Sequence, residues 1–228
     1  MAERCVKVYP LFERIWHWSQ MVLIVILMFT GFGLNGMHAL LPFKGLVVIH
    51  TVAALILLVL WAFATFWLFT TGTWKQFVPR FHGLVQVARY YAWGVFRGEE
   101  HPHQKIYWRK LNPLQVATYF GMKMVVFPAI WSTGILYLTY NLWSGPDSSR
   151  ALTIIAGIHV LAAFAICAFV IVHVYLLTLG HGFRAHVRPM IDGYEEIDLT
   201  PEQEAYLETN EPERLKQDCA QQQFHPAE

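Results

Sequence analysis

Two histidines stand in the last long apolar stretch of the chain, and their spacing indicates what chemistry they could perform. His159 and His173 lie within residues 151–180, a run long enough to cross a bilayer. Their separation of fourteen residues places them about 40° apart around a helix and about 21 Å apart along it. Polar groups are costly inside lipid and often mark a site, and imidazole is an axial ligand of haem iron. This helix is therefore predicted to give one ligand to each of two haems.

Two further histidines stand at matching depths in other apolar stretches. His17 is near the start of the first stretch, and His50 is near the start of the second. Consecutive spans run in opposite directions, so depth alone predicts the axial pairs His50/His159 and His17/His173. The alternative is four interior histidines held by ordinary hydrogen bonds, but the two matched depths and the shared face of one pair favour haem ligation. Small residues nearby would let a flat macrocycle approach the backbone: Gly31, Gly33, Gly157, Ala162 and Ala163.

The elements that must position these histidines are membrane helices. The chain has 228 residues, of which 55% are hydrophobic and 14% charged, whereas about a quarter are charged in soluble domains. Apolar runs predict spans at approximately 15–36, 46–69, 114–140 and 151–179. Basic residues concentrate before the first span, in the connection 71–112 and after the fourth span. The positive-inside rule then places both termini and that connection in the cytoplasm.

The predicted fold class is an all-α integral membrane protein, a four-transmembrane-helix bundle that binds two b-type haems and has cytoplasmic N and C termini. Residues 1–195 are predicted to form this di-haem domain, and residues 196–228 an acidic cytoplasmic tail. Within the tail, Thr200-Pro201-Glu202-Gln203 predicts the start of a short helix, followed by a disordered end. The aromatic and basic portion of the 71–112 connection is typical of an interfacial helix.

Cysteine usage and charge exclude several classes of protein. Cys5, Cys167 and Cys219 are isolated, without a CxxC or CxxCH pattern. This excludes iron–sulfur clusters, thiol redox pairs and covalently attached c-type haem, and it gives no reason to expect a disulfide. The formal net charge is +1, and there is no basic patch with interleaved aromatics, so nucleic-acid binding is not expected. No cleavable signal peptide is expected, because acidic and aromatic residues interrupt the start.

The chain resembles the di-haem cytochrome b subunits of bacterial membrane oxidoreductases over about residues 8–195. These are the formate dehydrogenase gamma subunit, the nickel–iron hydrogenase cytochrome b and the thiosulfate reductase cytochrome b. The YWRKLNPLQ stretch is most similar to the thiosulfate-reductase branch. The matching motifs are Arg14-Ile15-Trp16-His17-Trp18, Thr30-Gly31, Ile49-His50, Asn112-Pro113-Leu114-Gln115, Ile158-His159, Val172-His173-Val174-Tyr175 and Met190-Ile191-Asp192-Gly193.

This resemblance implies a multi-pass subunit of the bacterial inner membrane, surrounded by lipid, that exchanges electrons between an extracytoplasmic redox partner and the quinone pool. The implied cofactors are two haem b groups, with menaquinone or ubiquinone as exchangeable substrate. The implied partner is a periplasmic redox subunit: an iron–sulfur and molybdopterin enzyme, a hydrogenase or a multihaem c-type cytochrome. Iron with two histidine ligands has no open coordination site, so substrate chemistry at the haem is not expected. The chain would act within a larger oxidoreductase, not as a stand-alone catalyst.

A polar stripe on the third span is the candidate quinone site. Asn112, Gln115, Tyr119 and Lys123 fall within about 80° of one helix face, on the predicted cytoplasmic half. Amide, phenol and amine groups can donate hydrogen bonds to quinone oxygens and provide a proton route, and an ammonium inside an apolar run is costly without a purpose. The alternative is that Lys123 extends toward the interface or a haem propionate, while the other three cap or pack the bundle.

Two other functions remain compatible with the residues alone. Intramembrane histidines also serve as proton relays in transporters and channels, and such a protein would hold no haem. The basic connection and acidic tail would also suit a structural membrane anchor for a peripheral complex. A Soret absorbance band in the purified protein would separate the cytochrome from both alternatives.

Overall fold

The computed structural model describes residues 2–99, 102, 109–145, 148–179, 182–216 and 219. Within these ranges, four helices are long and apolar enough to cross a membrane. This confirms the four predicted spans, with ends that differ by a few residues. They are Leu11–Leu34 (α1), Phe43–Thr70 (α2), Pro113–Leu138 and Ser149–Leu176 (α7).

The third span changes its helical geometry midway. It begins as α4 (Pro113–Gly121), continues through a π-helical turn (Met122–Val126) and ends as α5 (Phe127–Leu138). The backbone N–H of Phe127 donates to the carbonyl of Met122, five residues earlier. The next residue is Pro128, which has no N–H to donate to the preceding turn, and a wide turn accommodates this loss. The polar stripe was placed on one helix face by assuming a rotation of about 100° per residue. This rotation does not apply in the π-helical turn, where Lys123 lies.

Shorter elements connect and flank the spans. The connection after α2 contains a 3₁₀ turn (Thr73–Phe77), the helix α3 (Leu84–Ala92) and a second 3₁₀ turn (Gly94–Arg97). The helical segment expected in this connection is thus present. The remaining helices are α6 (Tyr140–Trp143), α8 (Phe183–Val187), α9 (Pro189–Asp192) and α10 (Pro201–Asn210), with a 3₁₀ turn at Pro212–Arg214.

The chain divides into two compact units. The terminal unit comprises Met1–Ile15, Val78–Ala117 and Leu177–Glu228, and the span unit comprises Trp16–Phe77 and Thr118–Leu176. The span unit contains most of the four apolar helices. Many of its large apolar side chains are exposed, for example Phe63 and Phe66 at 63% and 68%. Such exposure of apolar side chains is expected where lipid is the solvent.

The terminal unit is built on a small antiparallel sheet that the all-helical prediction did not include. Strand β1 (Ala2–Lys7) lies between β2 (Tyr194–Leu199) and β3 (Leu215–Lys216), with Ala2 opposite Leu199 and Lys7 opposite Tyr194. One face is apolar, which gives the sheet a core of its own. That core consists of Val6, Val8, Ile197, Leu199 and Leu207, with Tyr9 and Leu215 packed against it.

The sheet corrects the expectation about cysteines. Cys5 and Cys219 form a disulfide across a separation of 214 residues, with their Cα atoms 5.3 Å apart. Cys5 pairs with Lys216 in the sheet, so the end of β3 brings Cys219 close to it. No short spacing pattern could reveal this bond, because the pairing of the two chain ends creates it. Cys167 is a free thiol, partly buried in α7.

The predicted start of the tail helix is confirmed. Thr200 is the N-cap of α10, and its hydroxyl accepts from the backbone of Gln203, whose side chain in turn accepts from the backbone of Thr200. Strand β2 runs across the boundary placed at residues 195 and 196. The domain division itself stays a prediction. A disordered end was predicted to follow this helix, but residues 212–216 form a 3₁₀ turn and β3. Of residues 217–228, only Cys219 is described.

Candidate haem-binding site

The structure brings the four predicted histidines together in two pairs inside the span unit. The ring centres of His17 and His173 are 6.4 Å apart, and those of His50 and His159 are also 6.4 Å apart. A bond of about 2.0 Å from an imidazole nitrogen to a first-row metal, plus about 1.1 Å to the ring centre, gives about 6.2 Å between two axial imidazoles. Each pair therefore fits one iron between its rings. All four side chains are half-buried.

The His50/His159 pair is held by two threonines that the sequence analysis did not assign to the site. Thr30 Oγ1 lies 2.8 Å from His50 Nδ1, and Thr133 Oγ1 lies 3.0 Å from His159 Nδ1. Both threonines are almost fully buried, at 1% and 5% exposure. Thr30 is on α1 and Thr133 on α5, so each histidine is contacted from a different helix. The sequence contains one feature that could have identified these two threonines, because a Thr-Gly dipeptide occurs in both helices.

A glycine follows each threonine and lies against the same imidazole. A Cβ added to Gly31 would be 3.5 Å from Cε1 of His50, and one added to Gly134 would be 3.3 Å from Cε1 of His159. The first distance is an ordinary contact, whereas the second is tighter than side chains usually allow. The other predicted glycines differ: Gly33 packs against His38 and Leu46, and no described residue comes within 4 Å of a Cβ at Gly157.

The His17/His173 pair has a different environment, made of aromatic rings. Phe169 stacks on His173 with a centre separation of 5.8 Å and an interplanar angle of 15°, and Trp18 packs edge-on against His17. Within the described part of the chain, His17 Nδ1 and Trp16 Nε1 are buried without a hydrogen-bond partner. A buried indole N–H without a partner is costly, so Trp16 is a candidate donor to a ligand of this region.

Two members of the predicted quinone stripe, Tyr119 and Lys123, both contact the ring of Phe77. Tyr119 packs against Phe77 and Phe169, the ring that also stacks on His173. Lys123 Nζ is 4.0 Å from the ring centre of Phe77 and 5.7 Å from that of Trp16, the residue that precedes His17 in the sequence. The ammonium thus contacts the faces of two aromatic rings, and cation–π attraction offsets part of the loss of water in the membrane.

The other two members, Asn112 and Gln115, belong to the terminal unit and form a reciprocal helix cap. Asn112 Oδ1 accepts from the backbone N–H of Gln115 at 2.9 Å, and Gln115 Oε1 accepts from that of Asn112 at 3.0 Å. Asn112 Nδ2 also donates to the hydroxyl of Tyr91 at 3.4 Å. Burial and the neighbouring Tyr90 raise the pKa of Tyr91, and this hydrogen bond opposes them. These contacts satisfy the backbone N–H groups of Asn112 and Gln115 at the start of α4.

Four apolar helices with paired intramembrane histidines define a membrane electron-transfer protein. The sequence profile of the prokaryotic cytochrome b561 family matches residues 8–193. The chain is also similar to a protein named Putative cytochrome YdhU of Escherichia coli (strain K12), with 30% identity over 197 residues that cover 83% of this chain and 74% of that protein. No solved structure matches the chain at a significant level.

The chain therefore belongs to the prokaryotic cytochrome b561 family. It is a multi-pass bacterial membrane cytochrome that binds b-type haem and transfers electrons across the membrane. The observed pairs of imidazoles are suited to this cofactor.

Proposed function

We propose that this protein is the quinone-reactive subunit of a larger oxidoreductase and connects an extracytoplasmic redox partner with the quinone pool through two b haems. The observation that carries the proposal is the pair of equal ring separations, 6.4 Å at His17/His173 and 6.4 Å at His50/His159. Helix α7 contributes one histidine to each pair, about 21 Å apart along its axis. The two sites thus lie at different depths of the same bundle.

The histidines determine what chemistry the sites support. Haem iron held between the two histidines of a pair would accept and return one electron without binding substrate, since both imidazoles would be its ligands. A site closed in this way favours electron transfer over reaction with oxygen. The helices that carry the histidines are apolar, which would limit the access of water to a bound haem.

The quinone is proposed to react beside the His17/His173 pair. Tyr119 packs against Phe169, the ring that stacks on His173. Lys123 lies over the ring of Phe77, which also packs against Tyr119. Trp16, whose ring centre is 5.7 Å from Lys123 Nζ, carries an N–H without a partner among the described residues. A quinone needs hydrogen-bond donors at its oxygens and two protons on reduction. The ammonium of Lys123, the hydroxyl of Tyr119 and the indole of Trp16 could provide donors. Asn112 and Gln115 enter the proposal as the cap that fixes the start of this span.

The proposed orientation follows from charge. Both termini and the connection before α4 lie on the cytoplasmic side of the bacterial inner membrane, because the basic residues concentrate there. The quinone then reacts on the cytoplasmic half, and the His50/His159 pair is nearest the external partner. The proposed partner is an iron–sulfur and molybdopterin enzyme, a hydrogenase or a multihaem c-type cytochrome, since each delivers or accepts single electrons at that surface.

Single histidine substitutions test the haem assignment. His50→Ala or His159→Ala should each remove one haem per chain, and His17→Ala or His173→Ala should each remove the other, as measured by pyridine haemochrome content and α-band spectra. His38→Ala is the matched control, because His38 Nε2 is hydrogen-bonded to the carbonyl of Phe29 instead of facing another histidine. Two haems per chain in all four variants would disprove the assignment. Haem loss in the control variant would show that the assay reports misfolding.

A further inference from the structure

The His50/His159 site is built from two copies of the same contact. In each copy a Thr-Gly dipeptide on one helix meets a histidine on the next: Thr30-Gly31 meets His50, and Thr133-Gly134 meets His159. The threonine hydroxyl lies at hydrogen-bond distance from Nδ1, and the glycine leaves room for the adjacent Cε1. We call each copy a Thr-Gly cradle.

The backbone determines the direction of each hydrogen bond. Thr30 Oγ1 lies 2.8 Å from the carbonyl oxygen of Ile26, and Thr133 Oγ1 lies 2.6 Å from that of Ala129. A hydroxyl has one proton, and a carbonyl oxygen can only accept. Each threonine therefore donates to its own helix and accepts from the imidazole. Nδ1 of the histidine must then carry the proton, which leaves the lone pair on Nε2 free for a metal.

We propose that Thr30 and Thr133 are positioning residues that fix the Nε2-coordinating tautomer of His50 and His159 and lower the reduction potential of the haem between them. This inference rests on the proposed function. A hydrogen bond from the second imidazole nitrogen makes the ligand more basic, and a more basic ligand stabilises ferric over ferrous iron. Both ligands of this haem carry such a bond.

The other pair gives the contrast that makes the inference testable. Among the described residues, Nδ1 of His17 is buried without a partner, and no hydrogen bond of His173 is observed. In the described part of the chain, the His17/His173 site therefore has no counterpart of the two bonds at the His50/His159 site. Because its ligands are less basic, the haem between His17 and His173 has the higher reduction potential. An electron shared between the two haems of one chain therefore resides mainly on that haem.

Four substitutions test the cradles in the purified full-length protein. Thr30→Val and Thr133→Val remove the hydroxyl at nearly constant volume, whereas Thr30→Ser and Thr133→Ser retain it. Ser132→Ala is the matched control, because Ser132 makes the same bond to a carbonyl four residues earlier, at 2.7 Å, on the exposed side of α5. Haem content, the two midpoint potentials and the low-spin EPR g values are measured for each.

Both valine variants should raise the potential and shift the g values of one and the same haem, while the other haem keeps wild-type values. The serine variants and Ser132→Ala should match the wild type. If a valine variant loses that haem, retention of it by the serine variant at the same position also supports the inference. Unshifted potentials in both valine variants, shifts in different haems, or loss of haem in the serine variants as well would overturn it. Wild-type protein without two haems would instead contradict the proposed function, so the two failures are distinguishable.

Discussion

At the scale of single residues, Lys123 is the most unusual group in the span unit. Its ammonium lies in a π-helical turn of an apolar helix and faces the rings of Phe77 and Trp16. π-Helical turns occur often at functional sites, and an ionisable residue inside the membrane is a candidate functional residue. A donor in this position would suit the proposed quinone site.

Replacing Lys123 tests this role. Lys123→Met should lower quinone-linked turnover roughly a hundredfold, the usual effect of losing an acid–base group, while both haems and their spectra remain. Lys123→Arg keeps the charge and should retain more of the turnover than Lys123→Met does. The measurement is steady-state quinol oxidation or quinone reduction, normalised to haem content. Wild-type turnover in Lys123→Met with both haems present would remove this residue from the mechanism.

Asn112 provides a second test at this scale, because its two side-chain atoms have different partners. Asn112→Asp keeps the oxygen that caps α4 but removes the Nδ2 donor to Tyr91, whereas Asn112→Ala removes both. We expect Asn112→Ala to lower the free energy of unfolding by about 1 kcal/mol and Asn112→Asp to remain near the wild type in thermal unfolding. If Asn112 acts only as a cap, quinone-linked turnover should fall only in the variant that is also less stable. Lost turnover in a stable Asn112→Asp variant would contradict that role.

At the scale of elements, Gly193 controls how α9 is joined to the sheet. Its φ is +92°, a conformation that other residues rarely adopt. A Cβ there would be 2.7 Å from the carbonyl oxygen of Tyr9. Its own carbonyl accepts from the N–H groups of Val8 and Tyr9 at 2.8 and 3.1 Å, which joins the end of β1 to the start of β2.

Gly193→Ala should therefore destabilise the terminal unit by about 1–3 kcal/mol, which limited proteolysis of the N-terminal segment would detect. Gly182→Ala is the matched control, because Gly182 also has a positive φ, +90°, but no described residue comes within 4 Å of a Cβ there. Gly182→Ala introduces the backbone strain without the clash with Tyr9. It should therefore be cut more slowly than Gly193→Ala. Equal proteolysis of both variants would show that the clash contributes nothing.

The ion pair between Lys110 and Glu13 joins two segments of the terminal unit. Lys110 Nζ is 2.6 Å from Glu13 Oε2, and the two side chains are only 9% and 15% exposed. Lys110 also lies 5.0 Å from the ring centre of Tyr9. Burial lowers the pKa of Lys110, and the carboxylate of Glu13 opposes this effect by favouring the charged form. The pair thus offsets a desolvation penalty that neither charge could bear alone.

Removing one partner should be more harmful than removing both. Lys110→Met leaves a buried carboxylate without its partner and should cost about 3–5 kcal/mol in the free energy of unfolding, whereas Lys110→Met with Glu13→Gln should recover most of it. Thermal unfolding of the three variants measures the coupling. Additive losses in the double variant would contradict a coupled pair.

At the scale of the whole molecule, the charge distribution predicts one topology. Reporters fused after Gly98 and at the C-terminus should remain cytoplasmic, while a reporter inserted between Asn141 and Arg150 should be exported, because the basic residues stay on the inside. Paired phosphatase and fluorescent-protein fusions at each site provide the measurement. Export of the C-terminal fusion would reverse the orientation and exchange the sides assigned to the quinone and the partner.

The disulfide gives an independent test of the same topology. Cytoplasmic thiols are kept reduced, whereas extracytoplasmic pairs are oxidised. With both termini inside, Cys5 and Cys219 should be alkylated as free thiols in intact growing cells and should form their bond only after oxidation of the isolated protein. Mass spectrometry of alkylated peptides measures this state, and Cys167 is the internal reference thiol. A bond already present in growing cells would contradict the cytoplasmic assignment.

The sequence by itself determined the features that depend on local patterns. Apolar run length fixed the four spans, because a helix must cover the hydrocarbon thickness with its own residues. Depth within those runs predicted which histidines could pair, and the structure brings the same residues together. The cap of α10 was also predictable, since all its atoms belong to four consecutive residues.

The tertiary structure decided every contact between distant segments. Thr30 and His50 are 20 positions apart, Thr133 and His159 are 26, Glu13 and Lys110 are 97, and the disulfide joins residues separated by 214. The sheet of the terminal unit likewise pairs residues 2–7 with residues 194–199. None of these partners is specified by a periodic pattern, because each short segment is compatible with many neighbours. Packing of the helices selects the threonine that meets each histidine, and pairing of the chain ends brings the two cysteines together.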